Sequence, residues 1–268
     1  MELIGKRALV MGGASGIGKA SSLALAQAGA DVVLTYWSSA DEAQEVVAQI
    51  RALGRQAQAI KADLTDGAIA ERVFAEAEGA IGEIDILFAN IGGLIQRCRV
   101  ADMPLTLWNE AMNLNLTSTF LICQAAVKRM EPRGRGAIIT MSSLAAFDGG
   151  GPGSAHYAAS KAAVATFTRA LAKEVGPSGV RVNGVSPGLI ATRFHDTFNT
   201  PANRQAIAER TPARREGAPE DVANVVVFLA SERAAFLAGE IVQVNGGCLL
   251  YTSPSPRDAT LSRMPSSA

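Results

Sequence analysis

Short, nearly continuous apolar runs alternate with longer helical stretches along most of this chain, and that alternation constrains the fold more than any other feature. The runs fall at residues 8–11, 32–36, 57–62, 84–89, 136–142, 181–186 and 241–244. Continuous rather than alternating apolarity marks strands covered on both faces. Strands separated by helices in this way require crossover connections, hence an α/β fold with one parallel, doubly wound, seven-stranded sheet and helices on both sides. No linker or solenoid repeat interrupts the pattern, so residues 1–247 read as one domain. One helix stands out. Between Lys161 and Arg169 it carries only Ala, Val, Thr and Phe, with no charge. Such a helix is normally buried on more than one side. The sheet covers one side, and a second copy of the chain is the expected cover for the other.

Composition narrows the partners. The chain has 268 residues, 48% hydrophobic, with 25 basic and 25 acidic side chains and zero formal net charge. That balance argues against a nucleic acid or an anionic membrane as the main partner. The basic run Arg133-Gly134-Arg135 reads as a solvated turn. No window approaches the roughly 18 apolar residues of a membrane span. No signal peptide is expected, because Arg7-Ala8-Leu9-Val10 already begins a strand. Cys98, Cys123 and Cys248 have no paired spacing, so neither a disulfide framework nor a metal site is expected. A cytoplasmic protein is the expectation. From Cys248 onward the chain changes abruptly to Cys-Leu-Leu-Tyr-Thr-Ser-Pro-Ser-Pro-Arg-Asp and a Ser/Pro-rich end. By composition this is a disordered extension. It also reads as one translated frame of a sequencing adaptor, so residues 248–268 are expected to be foreign and to replace the natural end of the chain.

Two motifs carry chemistry. Gly12-Gly13-Ala14-Ser15-Gly16-Ile17-Gly18 follows the first strand and opens an Ala-rich helix. Glycines at 12, 16 and 18 permit a tight turn and close approach of backbone N–H groups to a pyrophosphate at the helix N-terminus. Far downstream, Tyr157 and Lys161 are four residues apart on a helix and therefore share a face. A phenol ordinarily holds its proton to about pH 10. A neighbouring positive charge favours the phenolate and brings Tyr157 toward the range of a general acid/base. His156 points about 100° around the helix from Tyr157, which suits packing or solvent better than chemistry. His195 lies in the irregular segment 190–211.

The Gly-x-x-x-Gly-x-Gly spacing together with Tyr-x-x-x-Lys resembles the short-chain dehydrogenase/reductase family, particularly its 3-oxoacyl-thioester reductases and sugar dehydrogenases. The resemblance spans residue 5 to Gly247. It is carried in order by the Gly loop, Asp63-Leu64, Asn90-Ile91-Gly92, Asn115, Ser143, Tyr157/Lys161, and Pro187-Gly188 followed by Thr192. It implies a Rossmann-type sheet, a nicotinamide cofactor and, by family habit, a homotetramer. Gly12, Ser15, Gly16, Ile17 and Gly18 would meet the pyrophosphate, and Asp63 and Leu64 the adenine. Asn90, Ile91 and Gly92 would pass beneath the cofactor, Pro187, Gly188 and Ile190 would reach its nicotinamide end, and Thr192 would contact either the nicotinamide carboxamide or the phosphates. Met11 stands where the family has Thr, and Ile91 where it has the smaller Ala. An acid about 20 residues past the Gly loop would bind a ribose 2′-hydroxyl. None stands at Thr35-Tyr36-Trp37-Ser38-Ser39, and Ser39-x-x-Glu42 reads as a capping box. The expected cofactor is therefore NADP, with Ser38 or Lys19 at the phosphate and NAD as the alternative.

The resemblance also implies the reaction. Tyr157 exchanges a proton with the oxygen of a small-molecule ketone or secondary alcohol, Ser143 (with Ser142 as the minor alternative) orients that oxygen, Lys161 holds the nicotinamide ribose, and Asn115 keeps a water beside Lys161. The segment 190–211 would form a mobile lid. The rival reading is a dinucleotide-binding sensor or scaffold on the same fold without turnover.

Overall fold

The computed structural model describes residues 2–249. Among them, seven strands form one sheet: β1 (Arg7–Val10), β2 (Asp31–Tyr36), β3 (Ala57–Lys61), β4 (Ile86–Ala89), β5 (Gly136–Met141), β6 (Val180–Pro187) and β7 (Ile241–Val244). Their spatial order is β3-β2-β1-β4-β5-β6-β7, and every pairing is parallel. The sheet is thus the Rossmann-type, doubly wound one expected, with strand ends within two residues of those expected. The expected foreign tail begins at Cys248, and its residues 250–268 lie outside the described part of the chain.

Helices α1 (Gly16–Gln27), α2 (Ala40–Ala52) and α10 (Pro219–Ala230) cover one face of the sheet. Their Leu25, Val46, Ile50, Val226 and Leu229 pack with Val10, Val32, Leu34 and Phe88. Helices α3 (Ile69–Ile81), α5 (Ser118–Met130) and α7 (Ala155–Val175) cover the other, where Phe74, Ile122, Met130 and Leu171 pack with Leu9, Val33 and Leu87. Neighbouring strand residues thus enter opposite cores, as a side-chain period of two demands. This is why the strands are apolar throughout.

The remaining helices build the cleft. α4 (Leu105–Met112) runs through a π-helical segment, Asn113–Thr117, into α5. A short α6 (Ala145–Asp148) leads to the glycine-rich loop before α7, and α8 (Arg193–Phe198) and α9 (Pro201–Arg210) follow β6. The segment 190–211 is therefore largely helical rather than irregular. Its second helix has an orthodox start, with Pro201 in the first turn and the Thr200 hydroxyl accepting from the Asn203 N–H at 3.2 Å.

Strand order reverses between β1 and β4, which opens a crevice at the strands' C-terminal ends. Two ties fix the crevice. The Asn90 amide donates to the carbonyls of Met11 and Gly12 at 3.1 and 3.3 Å. The buried Thr35 hydroxyl accepts from the Gly12 N–H at 2.9 Å. Thr35 thereby secures the glycine turn in a chain that has Met11 at the end of the first strand. A Cβ on Gly18 would lie 2.0 Å from the Gly12 carbonyl oxygen. Gly18→Ala should therefore destabilise the fold by about 2–3 kcal/mol through overpacking, read as a lower urea midpoint with unchanged slope.

Candidate active site

A cleft of about 1400 Å³ runs from the glycine turn, along the ends of β4, β5 and β6, to α8 and α9. At its inner end Gly12 and Gly16 have positive φ, 61° and 50°, and Ser15 precedes α1 without bonding its own side chain to the helix. The first-turn N–H groups of α1 thus have no side-chain cap there, and no acid lies in that turn. Thr192 faces this turn; a Cβ on Gly16 would meet its methyl carbon at 3.3 Å.

The centre of the cleft is organised around Lys161. It is 2% exposed, and its Nζ donates to the Ile91 carbonyl at 2.7 Å and the Met141 carbonyl at 2.9 Å. Gly92 makes room for it: a Cβ there would stand 2.5 Å from Nζ and 2.2 Å from Asn115 Oδ1. Asn115 is buried in the π-helical segment. Its Oδ1 accepts from the Gly93 N–H, and its amide donates to the Gly93 and Ala111 carbonyls, all within 3.0 Å. It clamps the turn after β4 directly beside Lys161. The bulkier Ile91 is absorbed into the core, 4% exposed, while its carbonyl holds the lysine.

Tyr157 lies on α7 one turn before Lys161, whose Nζ is 5.9 Å from the phenol ring centre. Ser143 faces the phenol and acts to lower its pKa, and its hydroxyl oxygen accepts from the Ala145 N–H at 3.2 Å. Ser142, by contrast, is 1% exposed and donates to the Lys161 carbonyl at 3.0 Å. Charge balance differs from the simplest expectation. Burial is the dominant influence on both members of the pair, raising the Tyr157 pKa and lowering Lys161 to about 7, with only Ser143 acting to lower Tyr157. Lys161 is not among the influences on Tyr157, and desolvation penalises the charged form of each group.

His156 is fully buried, with Nε2 on the Leu94 carbonyl at 2.9 Å, so it packs as expected. His195 lines the cleft beside Asn199, and burial is the first cause lowering its pKa. Pro187, Gly188 and Ile190 also line the cleft. Ser38, Asp63 and Leu64 stand at the ends of β2 and β3, outside the cleft lining. Asp63 Oδ1 accepts both the Thr65 N–H and its hydroxyl, which holds the carboxyl below its usual range. The expected capping box at Ser39 does not form: no backbone N–H bonds the Ser39 side chain. Glu42 instead pairs with Arg193 of α8, and its pKa is lowered mainly by that bond.

Three further cleft residues carried no motif. Phe194 lies over Tyr157, ring centres 5.8 Å apart, and continues into Phe198. Arg97 joins three walls, donating to the Pro152 carbonyl at 2.9 Å and the Phe198 carbonyl at 3.2 Å. Arg193 reaches across to α2.

A doubly wound sheet whose cleft runs from a glycine turn to a Ser-Tyr-Lys cluster defines a dinucleotide-dependent α/β oxidoreductase. Residues 12–249 match a family model described as enoyl-(acyl carrier protein) reductase. The chain is 38% identical over 250 residues to the L-rhamnose 1-dehydrogenase (NAD(P)(+)) of a Sphingomonas species, covering 92% of this chain and 98% of that one. It is 38% identical over 245 residues to the 3-oxoacyl-[acyl-carrier-protein] reductase of a Synechocystis species, covering 91% and 97%. The solved 7α-hydroxysteroid dehydrogenase complexed with NADH and 7-oxo glycochenodeoxycholic acid superimposes with a TM-score of 0.87 at 37% identity, covering 92% and 95%. The chain belongs to the short-chain dehydrogenase/reductase family and is an NAD(P)-dependent oxidoreductase acting on alcohols and ketones.

The raised Tyr157 pKa has a consequence for pH. If Tyr157 must lose its proton to accept one from an alcohol, kcat/KM for oxidation should keep climbing to at least about pH 9. Ketone reduction, which needs the protonated phenol, should lose nothing to Tyr157 below that point. Parallel pH profiles check this; oxidation already level at pH 7 would contradict it.

Proposed function

We propose that this protein interconverts a ketone and a secondary alcohol of the 3-oxoacyl-thioester or sugar/polyol type, with Tyr157 as general acid/base. The observation carrying the reading is that Ser143, Tyr157 and Lys161 line one cleft, with the Lys161 ammonium 5.9 Å from the phenol ring centre and buried against two strand-end carbonyls. The residues present fit a nicotinamide dinucleotide: Gly12, Ser15, Gly16, Ile17 and Gly18 form an uncapped helix entry, and Gly92 leaves space only a hydrogen can fill. When bound, the dinucleotide supplies or accepts the hydride. Asn90, Ile91, Gly92, Pro187, Gly188, Ile190 and Thr192 would hold its length. Asp63 would receive the adenine amine through Oδ2, since both Thr65 bonds end on Oδ1. Ser38 and Leu64 complete that end.

Each polar group has a defined share. The Ala145 N–H holds the Ser143 oxygen, and the Ser143 O–H, directed at the phenol without substrate, would be shared with a substrate oxygen that gains negative charge. Tyr157 gives that oxygen its proton in reduction and takes it back in oxidation. An ammonium has three N–H donors; the two strand-end carbonyls use two, leaving one for a ribose hydroxyl. Asn115 acts by position, fixing Gly93 and thus the turn against which Lys161 lies. A non-catalytic sensor has no support here, since all four polar groups converge.

Both cofactors are accepted in this reading and NADP is preferred, because no acid ends β2 and Lys19 lines the cleft. Three free thiols suit a reducing compartment, and we read the protein as cytoplasmic. Among the described residues no helix is long and apolar enough to cross a membrane. The charge-free face of α7 supports a homo-oligomer, a tetramer by family habit: Phe167 packs edge-on against Phe120, which is 42% exposed.

Tyr157→Phe should lower kcat by about a hundred- to ten-thousand-fold while leaving dinucleotide affinity, read by fluorescence titration, unchanged. NADPH and NADH consumption across acetoacetyl thioesters, diketones and keto-sugars tests the substrate class, and activity with none of them would refute it. Light scattering should report a multiple of the chain mass, and Phe167→Lys should reduce it. A monomeric wild-type mass would end the oligomer reading.

A further inference from the structure

The outer half of the cofactor cleft contains charges that the reaction does not use. Arg193 follows Thr192, the residue that faces Gly16, and its guanidinium crosses to α2. There Nη1 donates to Glu42 Oε2 at 3.2 Å and Nη2 to Oε1. Lys19 on α1 pairs with Glu45 one helical turn further along α2, at 3.4 Å. All four residues line the cleft. The Arg193–Glu42 pair therefore joins the lid to the opposite wall next to the turn that would receive a pyrophosphate.

The pair is built to be exchanged. The Arg193 side chain is 73% exposed and that of Glu42 32%, and an ion pair so open to water has little net strength. A guanidinium presents the same two-pronged fork to a phosphate as to a carboxylate. A pyrophosphate on the α1 entry would lie within a walled cleft, where the same bonds are less screened than at the surface. Resting on the dinucleotide reading above, we infer that Arg193 is a cofactor-binding residue that leaves Glu42 for the dinucleotide pyrophosphate. Glu42 holds the arginine in place until cofactor enters. Entry then changes a lid-to-α2 clasp into a lid-to-cofactor clasp, seating Thr192 and, two positions further, Phe194 above Tyr157.

The pyrophosphate is common to NADH and NADPH, so the two should respond alike. Arg193→Gln should weaken both by about tenfold, the size of one charge-assisted hydrogen bond, in fluorescence titrations of the full chain. Arg193→Lys should recover part of that loss. Glu42→Gln removes the competitor and should tighten both, by about threefold. Both positions are partly or largely exposed, and unchanged melting curves will confirm that each variant is folded. Unchanged affinities in Arg193→Gln would overturn the inference, as would weaker binding in Glu42→Gln. A loss confined to NADPH would also overturn it, placing Arg193 on the 2′-phosphate. Wild-type protein that binds neither dinucleotide would overturn the underlying cleft reading, and this inference with it.

Discussion

A single buried ammonium holds the catalytic centre together. Lys161 is almost wholly removed from solvent and is bonded by two backbone carbonyls, one after β4 and one at the end of β5. Burying a charge with no carboxylate partner is expensive, and the cost appears as a pKa drawn down to about 7. The surroundings are shaped to tolerate it. Gly92 gives up its side chain, Asn115 clamps the adjoining peptide, and Ser142 ties the Lys161 backbone to the strand end. This group joins α7 to two strand ends, and Tyr157 is carried to the cleft.

The two halves of the cleft rest on different physics. The inner half is held by strand ends, a glycine turn and hydrogen bonds at Asn90 and Thr35. The outer half is held by exposed arginines. Arg193 pairs with Glu42, and Arg97 bonds carbonyls on the glycine-rich loop and at the end of α8. Such contacts contribute little individually and exchange readily. A site held in this way beneath a lightly held cover suits a reaction that must admit two partners and then exclude water.

The sheet, the glycine turn and the Ser143, Tyr157 and Lys161 cluster were legible in the chain because each imposes a local pattern. Apolar runs report strands covered on both faces, and helical spacing puts Tyr157 and Lys161 together before any tertiary contact is known. Glu42 was misread for the same reason: Ser39-x-x-Glu42 satisfies a local capping rule, but a guanidinium 151 positions away claims the carboxylate. Nothing local distinguishes Arg97, Phe194 or Arg193 from surface residues, and Thr35 looks like any β-branched strand residue. Their roles come from loops far apart in sequence meeting over the cleft. Ser142 is turned inward onto the Lys161 backbone, a contact that no local pattern in the chain reveals.

The sequence by itself determined the parallel doubly wound fold, the helix entry for a dinucleotide and the residue types of a proton-transfer site, because strand burial, turn conformation and helical spacing are written in short stretches of chain. The tertiary structure alone decided how Lys161 is held and that Ser142 is buried against its backbone. It decided too that burial raises the Tyr157 pKa, and that Arg193 bridges the cleft to Glu42. Those outcomes depend on desolvation and on contacts between distant segments, and neither exists until the chain has folded.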